Sequence, residues 1–534
     1  MYKSSSFFLL SLIALSFLFN ACDLEKIDPE IPSGSAIKIT SINPTHGQKG
    51  EVITITGEDF GTVAAEVTVT FATGISATIQ EISDTQIKVA VPQGADNGVI
   101  SITRGSGSAN SPAFTYDKPT LVSFLPTSGK KGDVVTIQGT NFGVDSTEIV
   151  VTINGKAAHF SANPTDNSLK VIVPPKAGTG AVSVTVSGYD ATGGSGNFSY
   201  LLSGTVTTFA GSGTYGFLDG PGNTARFAFP YGIAVDASGN VFVGELDNHR
   251  LRKITPSGFV STFAGSATGG FTNGVGTAAT FGALAGLAFD NNGNLIIADF
   301  GNHAIRMSDP NANITTLAGG GGTGGSNANG YVDNFGSGAR FSYPTGVAVD
   351  ANNNVLVADR SNHAIRMITP ASFVSTFAGK GTEFGDVDGP RLNSRFFVPE
   401  DIAVDAEGNI YVSDAGNHKI KKIKTDGSVI TLAGNGVSGN ISGPGTTAQF
   451  NTPVGIDIDA SGNIFVADRF NNKVRVVMPN GFTYDLAGDG TFGYQDGPGA
   501  TAKIAEPFGL ALDADGNVYI ACYSNDNIRK ITVE

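Results

Sequence analysis

Gly232-Ile233-Ala234-Val235-Asp236-Ala237-Ser238-Gly239-Asn240-Val241-Phe242-Val243 is the stretch that decides the fold of this chain, because variants of it recur along the remaining sequence. The aspartate of each copy falls at Asp236, Asp290, Asp350, Asp405, Asp459 and Asp513, with spacings of 54, 60, 55, 54 and 54 residues. Alternating apolar residues on either side of an Asp-x-x-Gly-Asn turn predict two strands joined by a hairpin. Each unit runs on into a third such segment, as in Asn302-His303-Ala304-Ile305-Arg306-Met307. Most then reach a fourth, as in Phe259-Val260-Ser261-Thr262-Phe263-Ala264-Gly265. Four short strands per unit make a propeller blade, and six units predict six blades.

Counting strands gives an independent check. The last unit stops at Lys530-Ile531-Thr532-Val533-Glu534 and lacks its fourth strand. Thr205-Val206-Thr207-Thr208-Phe209-Ala210-Gly211 matches the fourth strands at 259–265, 313–319, 373–379, 428–434 and 482–488, yet precedes every first strand. The ring is therefore expected to close by placing 205–211 on blade six. Over residues 205–534 the units resemble NHL repeats, in the pattern Gly-(Ile/Leu/Val)-Ala-Val-Asp-x-x-Gly-Asn-(Ile/Val)-Tyr-Val-x-Asp-x-x-Asn-His-x-Ile-(Arg/Lys). The resemblance implies a six-bladed NHL-type propeller at 203–534.

Upstream, a second duplication appears. Pro44-Thr45-His46-Gly47 and Gly50 recur as Pro126-Thr127-Ser128-Gly129 and Gly132, offset by 82 residues. The same offset joins Ile53-Thr54-Ile55-Thr56-Gly57-Glu58-Asp59-Phe60-Gly61 to Val135-Thr136-Ile137-Gln138-Gly139-Thr140-Asn141-Phe142-Gly143. Further alternating segments at Gln86–Val91, Ser168–Val173, Gly98–Thr103 and Ala181–Val186 complete the rhythm of a β-sandwich. Both copies resemble IPT/TIG immunoglobulin-like domains, at 36–117 and 118–202. The chain thus reads as all-β, two sandwiches followed by a propeller. Placed between an N-terminal segment and a large domain, the sandwiches read as a stalk.

The N-terminal segment points to export. Phe7 to Phe19 is an apolar run of 13 behind Lys3, too short to cross a bilayer core of roughly 30 Å and laid out like a signal-peptide core. It ends at Phe19-Asn20-Ala21-Cys22, which resembles a lipobox and departs from the usual pattern at Phe19 and Asn20. Residues 1–21 are thus expected to be a signal peptide and Cys22 a lipidated N-terminus, with the acidic 22–35 as tether. That layout resembles Bacteroidetes-type lipoproteins, which implies a lipid anchor in the outer membrane and exposure at the cell surface. Only Cys22 and Cys522 occur, so no disulfide framework is expected.

Composition narrows the function. A formal net charge of −14, with no compensating Lys/Arg cluster, repels a phosphate backbone and argues against nucleic acid as a partner. The Asp-x-x-Gly-Asn loops are explained by turn chemistry, and Asp513-Ala514-Asp515-Gly516-Asn517 lacks the further ligands of an EF-hand. The acid after each second strand (Glu245, Asp299, Asp359, Asp414, Asp468) becomes Cys522 in the last unit, and reads as a structural cap with Cys522 as a small core residue. His249, His303, His363 and His418 share one repeat position and read as packing, although the propeller of peptide-amidating lyases holds a metal through histidines. His46 and His159 stand at non-equivalent positions of the two sandwiches and form no ligand set.

What the scaffold does not dictate is where function is sought. Entrances to the first strands carry Tyr231, Ala285, Thr345, Glu400, Val454 and Phe508, and the positions after the repeated acid carry Leu246, Phe300, Arg360, Ala415, Arg469 and Tyr523. Both sets are expected on the face that also bears the long inter-blade connections, such as Gly211–Tyr231 and Gly319–Thr345, where binding usually resides. Tyr231, Phe508 and Tyr523 would offer ring faces; Arg360, Glu400 and Arg469 would fix polar groups of a ligand. No acid, base, nucleophile or metal set has catalytic spacing, and no cofactor is implied. A non-enzymatic surface protein binding a glycan or glycoprotein in nutrient acquisition is the leading expectation. A protein scaffold or adhesin, or a propeller lyase or lactonase, are the alternatives.

Overall fold

The computed structural model describes residues 36–194, 196–320 and 328–534. Cys22, the signal peptide and the tether lie outside the described residues.

The first sandwich sets Lys38–Asn43, Val52–Glu58, Gln86–Ala90 and Ile79–Ile82 against a sheet of His46–Gly47, Gly107–Tyr116, Gly98–Arg104, Val67–Thr70 and Ser76–Ala77. The second repeats this around Val134–Thr140, Ser168–Ile172 and Gly180–Val186, with Lys156–Phe160 pairing into both layers. Alternation along each strand sends one face inward, so Ile53, Ile55, Ile87 and Val89 meet Phe60 and Phe114 in one core. Val135, Ile137, Leu169 and Val171 meet Phe142 and Phe198 in the other.

Downstream, six antiparallel sheets pack side by side in a closed ring. The first strands, Pro230–Val235, Leu284–Phe289, Pro344–Val349, Pro399–Val404, Pro453–Ile458 and Pro507–Leu512, line the axis. Each touches the next, and blade six returns to blade one. Glycine is required where neighbouring first strands meet: a Cβ on Gly232 would lie 1.8 Å from Ala285 O, and one on Gly509 2.2 Å from Tyr231 O. Blade six is completed by Gly204–Ala210, which runs antiparallel to Asn527–Val533 with Gly204 opposite Val533 and Ala210 opposite Ile528.

That register fixes how the second sandwich meets the propeller. The chain leaves the second sandwich through Leu201 and Leu202, which pack into the core of blades five and six, and Leu202 N–H donates to the Tyr484 hydroxyl at 2.9 Å. Ser203 and Glu534 exchange backbone hydrogen bonds, and Lys131 pairs with Glu534 at 2.7 Å. All of this lies at the Val533 end of blade six. Cys522 and Tyr523, at the turn between strands two and three, lie at the opposite end. The two sandwiches meet through a Lys49–Glu148 ion pair and the rings of Tyr116 and Tyr189, 4.7 Å apart.

Candidate functional site

The repeated polar residues hold the blades together. Asp359, wholly buried, accepts hydrogen bonds from Ser342 N–H at 2.7 Å, Asn362 Nδ2 at 2.8 Å and the Arg366 guanidinium at 2.8 Å. Arg366 also donates to the carbonyls of Arg340 and Val332 and pairs with Asp333 in the incoming loop. Its guanidinium sits between the rings of Tyr331 and Phe341, 4.6 and 5.3 Å from their centroids. Glu245 with Arg252, Asp299 with Arg306 and Asp468 with Arg475 repeat the pair, and in blade four Lys421 takes the arginine's place beside Asp414. Burial pushes the Glu245, Asp299 and Asp359 carboxyls upward, and the facing arginine opposes it. In blade six Cys522 stands in the acid's place, its thiol pushed up to about 12 by burial, and Arg529 relies on Asp496 and two carbonyls.

The histidine position is likewise architectural. His303, His363 and His418 adopt left-handed backbone, and each Nδ1 accepts the N–H of a residue entering the next blade: Tyr343, Val398 and Thr452. Asn472 and Asp526 do the same for Glu506 and Phe229. Burial lowers the three imidazoles, which favours the neutral ring that such acceptance needs.

The length of the inter-blade connections has a structural reason beside the binding expected of them. Each connection first runs down the outer edge of the blade it is about to build. Gly274–Val275 pairs with Asn313–Gly319, Asn334–Phe335 with Phe373–Ala378, Gly389–Pro390 with Ser428–Ala433, and Gly497–Pro498 with Gly204–Ala210. Single bridges from Gly220 to Val260 and from Gly443 to Thr483 cover the other two. Covering an outer edge removes a row of unpaired backbone groups.

What remains unrepeated gathers at the channel mouth. Tyr231 of blade one donates its hydroxyl to Glu400 Oε2 of blade four at 2.9 Å, across the ring. Arg360 Nε donates to the other Glu400 oxygen at 2.7 Å. The Tyr231 ring packs on Phe508 at 4.5 Å, Phe508 on Tyr523 at 4.9 Å, and Tyr523 stacks on Phe229 at 4.6 Å, which meets Tyr215 at 5.3 Å. Arg469 lies 4.3 Å from the Phe508 centroid and 4.3 Å from that of Phe470, and pairs with Glu506 at 3.0 Å.

The six residues singled out from the sequence thus form one continuous cluster, with two differences. Phe508 and Glu400 are buried, their surfaces covered by neighbours, so they support the cluster from beneath. Arg360 and Arg469 are half-buried and already paired with carboxylates, so they present hydrogen-bonding groups with little free charge. Tyr215 and Phe470, which the sequence reading passed over, are exposed and extend the cluster outward.

Below the mouth the first strands enclose a channel cavity of about 250 Å³. Asp401 and Asp457 line it, at positions where other blades carry glycine and alanine. Blade four pairs Asp401 with Ser413 directly after its bulge, whereas in the other blades the bulge takes in the equivalent glycine. Its Oδ2 accepts the N–H of Ile456 at 3.0 Å, and Asp457 Oδ2 accepts that of Leu512 at 2.8 Å. Burial pushes Asp401 up to about 8, with the charges of Asp457 and Glu400 adding to it, and pushes Asp457 up to about 6. Burial also drives the Tyr231 hydroxyl well above its usual range, reinforced by Glu400. Both aspartates were legible as departures from the repeat. Among the described residues no three His, Cys, Asp or Glu side chains converge as a metal site.

The fold is thus two β-sandwiches followed by a β-propeller whose unrepeated polar and aromatic residues cluster at the channel mouth. The chain contains two IPT/TIG domains, matched at residues 38–116 and 119–200, and NHL repeats, matched at 281–306, 341–366 and 398–423. It is 30% identical over 295 residues to the Arabidopsis thaliana chloroplastic protein Suppressor of Quenching 1, a match that covers 52% of this chain and 27% of the relative. The curated relative is thus spanned over about a quarter of its length. A Bacteroides thetaiotaomicron protein of unknown function superposes with a TM-score of 0.50 at 21% identity, covering 78% of this chain and 98% of that one. An auxiliary nutrient binding protein from Bacteroides ovatus is similar at a TM-score of 0.47 and 22% identity, over 78% and 98% of the two chains. At 21% identity the first of these two structures shows a common fold.

Proposed function

We propose that the protein is a non-enzymatic binding protein of the bacterial outer membrane, lipidated at Cys22, that holds a glycan or glycoprotein ligand at the channel mouth. One observation carries the reading: Tyr231, Arg360, Glu400, Arg469, Phe508 and Tyr523 cluster at the end of the ring opposite the stalk junction. Anchored through the sandwiches, the propeller presents that end away from the membrane. Rings of Tyr215, Tyr523 and Phe470 supply contact area at low entropic cost, and the paired arginines supply fixed donors to hydroxyl or carbonyl oxygens. Glycan and glycoprotein capture on a cell surface is a nutrient-acquisition task.

The test replaces Tyr215, Tyr523 and Arg469 singly by alanine and screens the variants and the parent against surface polysaccharides and host glycoproteins. Loss of binding with unchanged melting supports the site. A ligand that all three variants bind like the parent moves the site elsewhere. Mass spectrometry of the mature N-terminus decides the anchor: an unmodified Cys22 removes it.

A further inference from the structure

The repeat supplies an internal control for a second site, on the face opposite the channel mouth. There the turns Asp236–Asn240 and Asp290–Asn294, with Asp309 and Pro310, enclose a cavity of about 450 Å³ between blades one and two. Its walls are aromatic. Phe242 meets Phe263 edge-on at 5.1 Å and Phe289 at 5.4 Å, and the last two rings are half-buried.

Lys253 completes the wall as the cross-strand partner of Phe242. The same register pairs Tyr411 with Lys422 in blade four and Tyr519 with Lys530 in blade six. In those blades the lysine donates to the tyrosine hydroxyl, at 2.7 and 2.9 Å. It also faces the carboxylate of Asp405 or Asp513, at 3.9 and 3.5 Å. Phe242 has no hydroxyl to offer. Lys253 Nζ lies 5.5 Å from its ring centroid and, among the described residues, forms no ion pair. Asp236 makes the turn bonds that its counterparts Asp405 and Asp513 also make, Oδ1 accepting the N–H groups of Ser238 and Asn240 and Oδ2 accepting Asn240 Nδ2, but among the described residues it forms no ion pair with Lys253. Asp290 is held in the same way, and Asp309 Oδ1 accepts the N–H groups of Asn311 and Asn313.

Blade one therefore combines three phenyl walls with an ammonium that lacks both of the partners its counterparts in blades four and six have. We propose that this cavity binds a small apolar carboxylate, its ring or short acyl chain among Phe242, Phe263 and Phe289 and its carboxylate on Lys253. Burial of the apolar body drives entry, and a charge-assisted hydrogen bond to Lys253 selects the anion over a neutral analogue.

The experiment titrates 3-phenylpropionate and its neutral amide into the purified full chain by calorimetry. Phe242→Tyr is the decisive variant, because tyrosine already stands at this position in two blades and is tolerated by the fold. It restores the hydroxyl that captures the lysine. Saturable binding of the carboxylate is expected, weakened about tenfold or more by Phe242→Tyr, by Lys253→Gln and by exchange for the amide. Lys422→Gln, in blade four, should change nothing. No saturable binding at millimolar carboxylate, or equal binding by parent, Phe242→Tyr and Lys253→Gln, overturns the proposal.

Discussion

Replacing Asp359 by alanine tests whether the buried acid and arginine of each blade act as one unit. The substitution leaves Ser342 N–H and Asn362 Nδ2 without their carboxylate partner and leaves the Arg366 guanidinium, which has no exposed surface, with Asp333 as its one remaining carboxylate. Breaking a buried pair by removing one member costs about 3–5 kcal/mol, a large share of the roughly 5–15 kcal/mol that holds an ordinary domain together. Arg366→Met in the same chain removes the buried, under-compensated charge and should recover part of the loss. Recovery stays incomplete because Arg366 also holds Asp333 and the carbonyls of Val332 and Arg340, which dock the incoming loop. A coupling of at least ~2 kcal/mol between the two sites is expected from a double-mutant cycle. A chain of three domains does not unfold as two states, so urea unfolding should be read alongside amide exchange over residues 328–380. Additive costs, or an Asp359→Ala variant within about 1 kcal/mol of the parent, would refute the unit.

Other predictions follow from single features. Asp401 is raised to about 8 in the folded chain, so the stability it contributes is full below its unfolded value near 4 and is lost as pH rises through about 8; Asp401→Gly, the residue most blades carry, should flatten urea midpoints across that window, and parallel curves for parent and variant would contradict the assignment. Deleting Thr205–Gly211 should lower the melting temperature and promote aggregation, because Asn527–Val533 becomes an exposed edge and Val206 leaves the core of blades five and six. Cys522 is buried, with its thiol pushed up to about 12, so a thiol reagent should modify it in urea and leave it untouched in the native protein.

The strand count, the six units and the closing strand were legible in the sequence because they rest on local periodicity. Val241-Phe242-Val243 and its counterparts need no long-range information to read as strands, and the missing fourth strand of the last unit was a matter of counting. The repeat also showed which polar residues were architectural, since a residue present in nearly every blade serves what every blade needs. Tertiary structure decided everything that depends on which blades face each other. Tyr231 and Glu400 are 169 residues apart and meet only because blades one and four are opposite across the ring. Arg360 and Arg469 read as free donors until Glu400 and Glu506 were placed beside them. That the long connections also cover outer strand edges came into view only in the structure. The difference between Lys253 and its counterparts in blades four and six shows only when their partners are compared in space. Periodicity is encoded along the chain, whereas pairing of charges and covering of edges depend on distances that only ring closure sets.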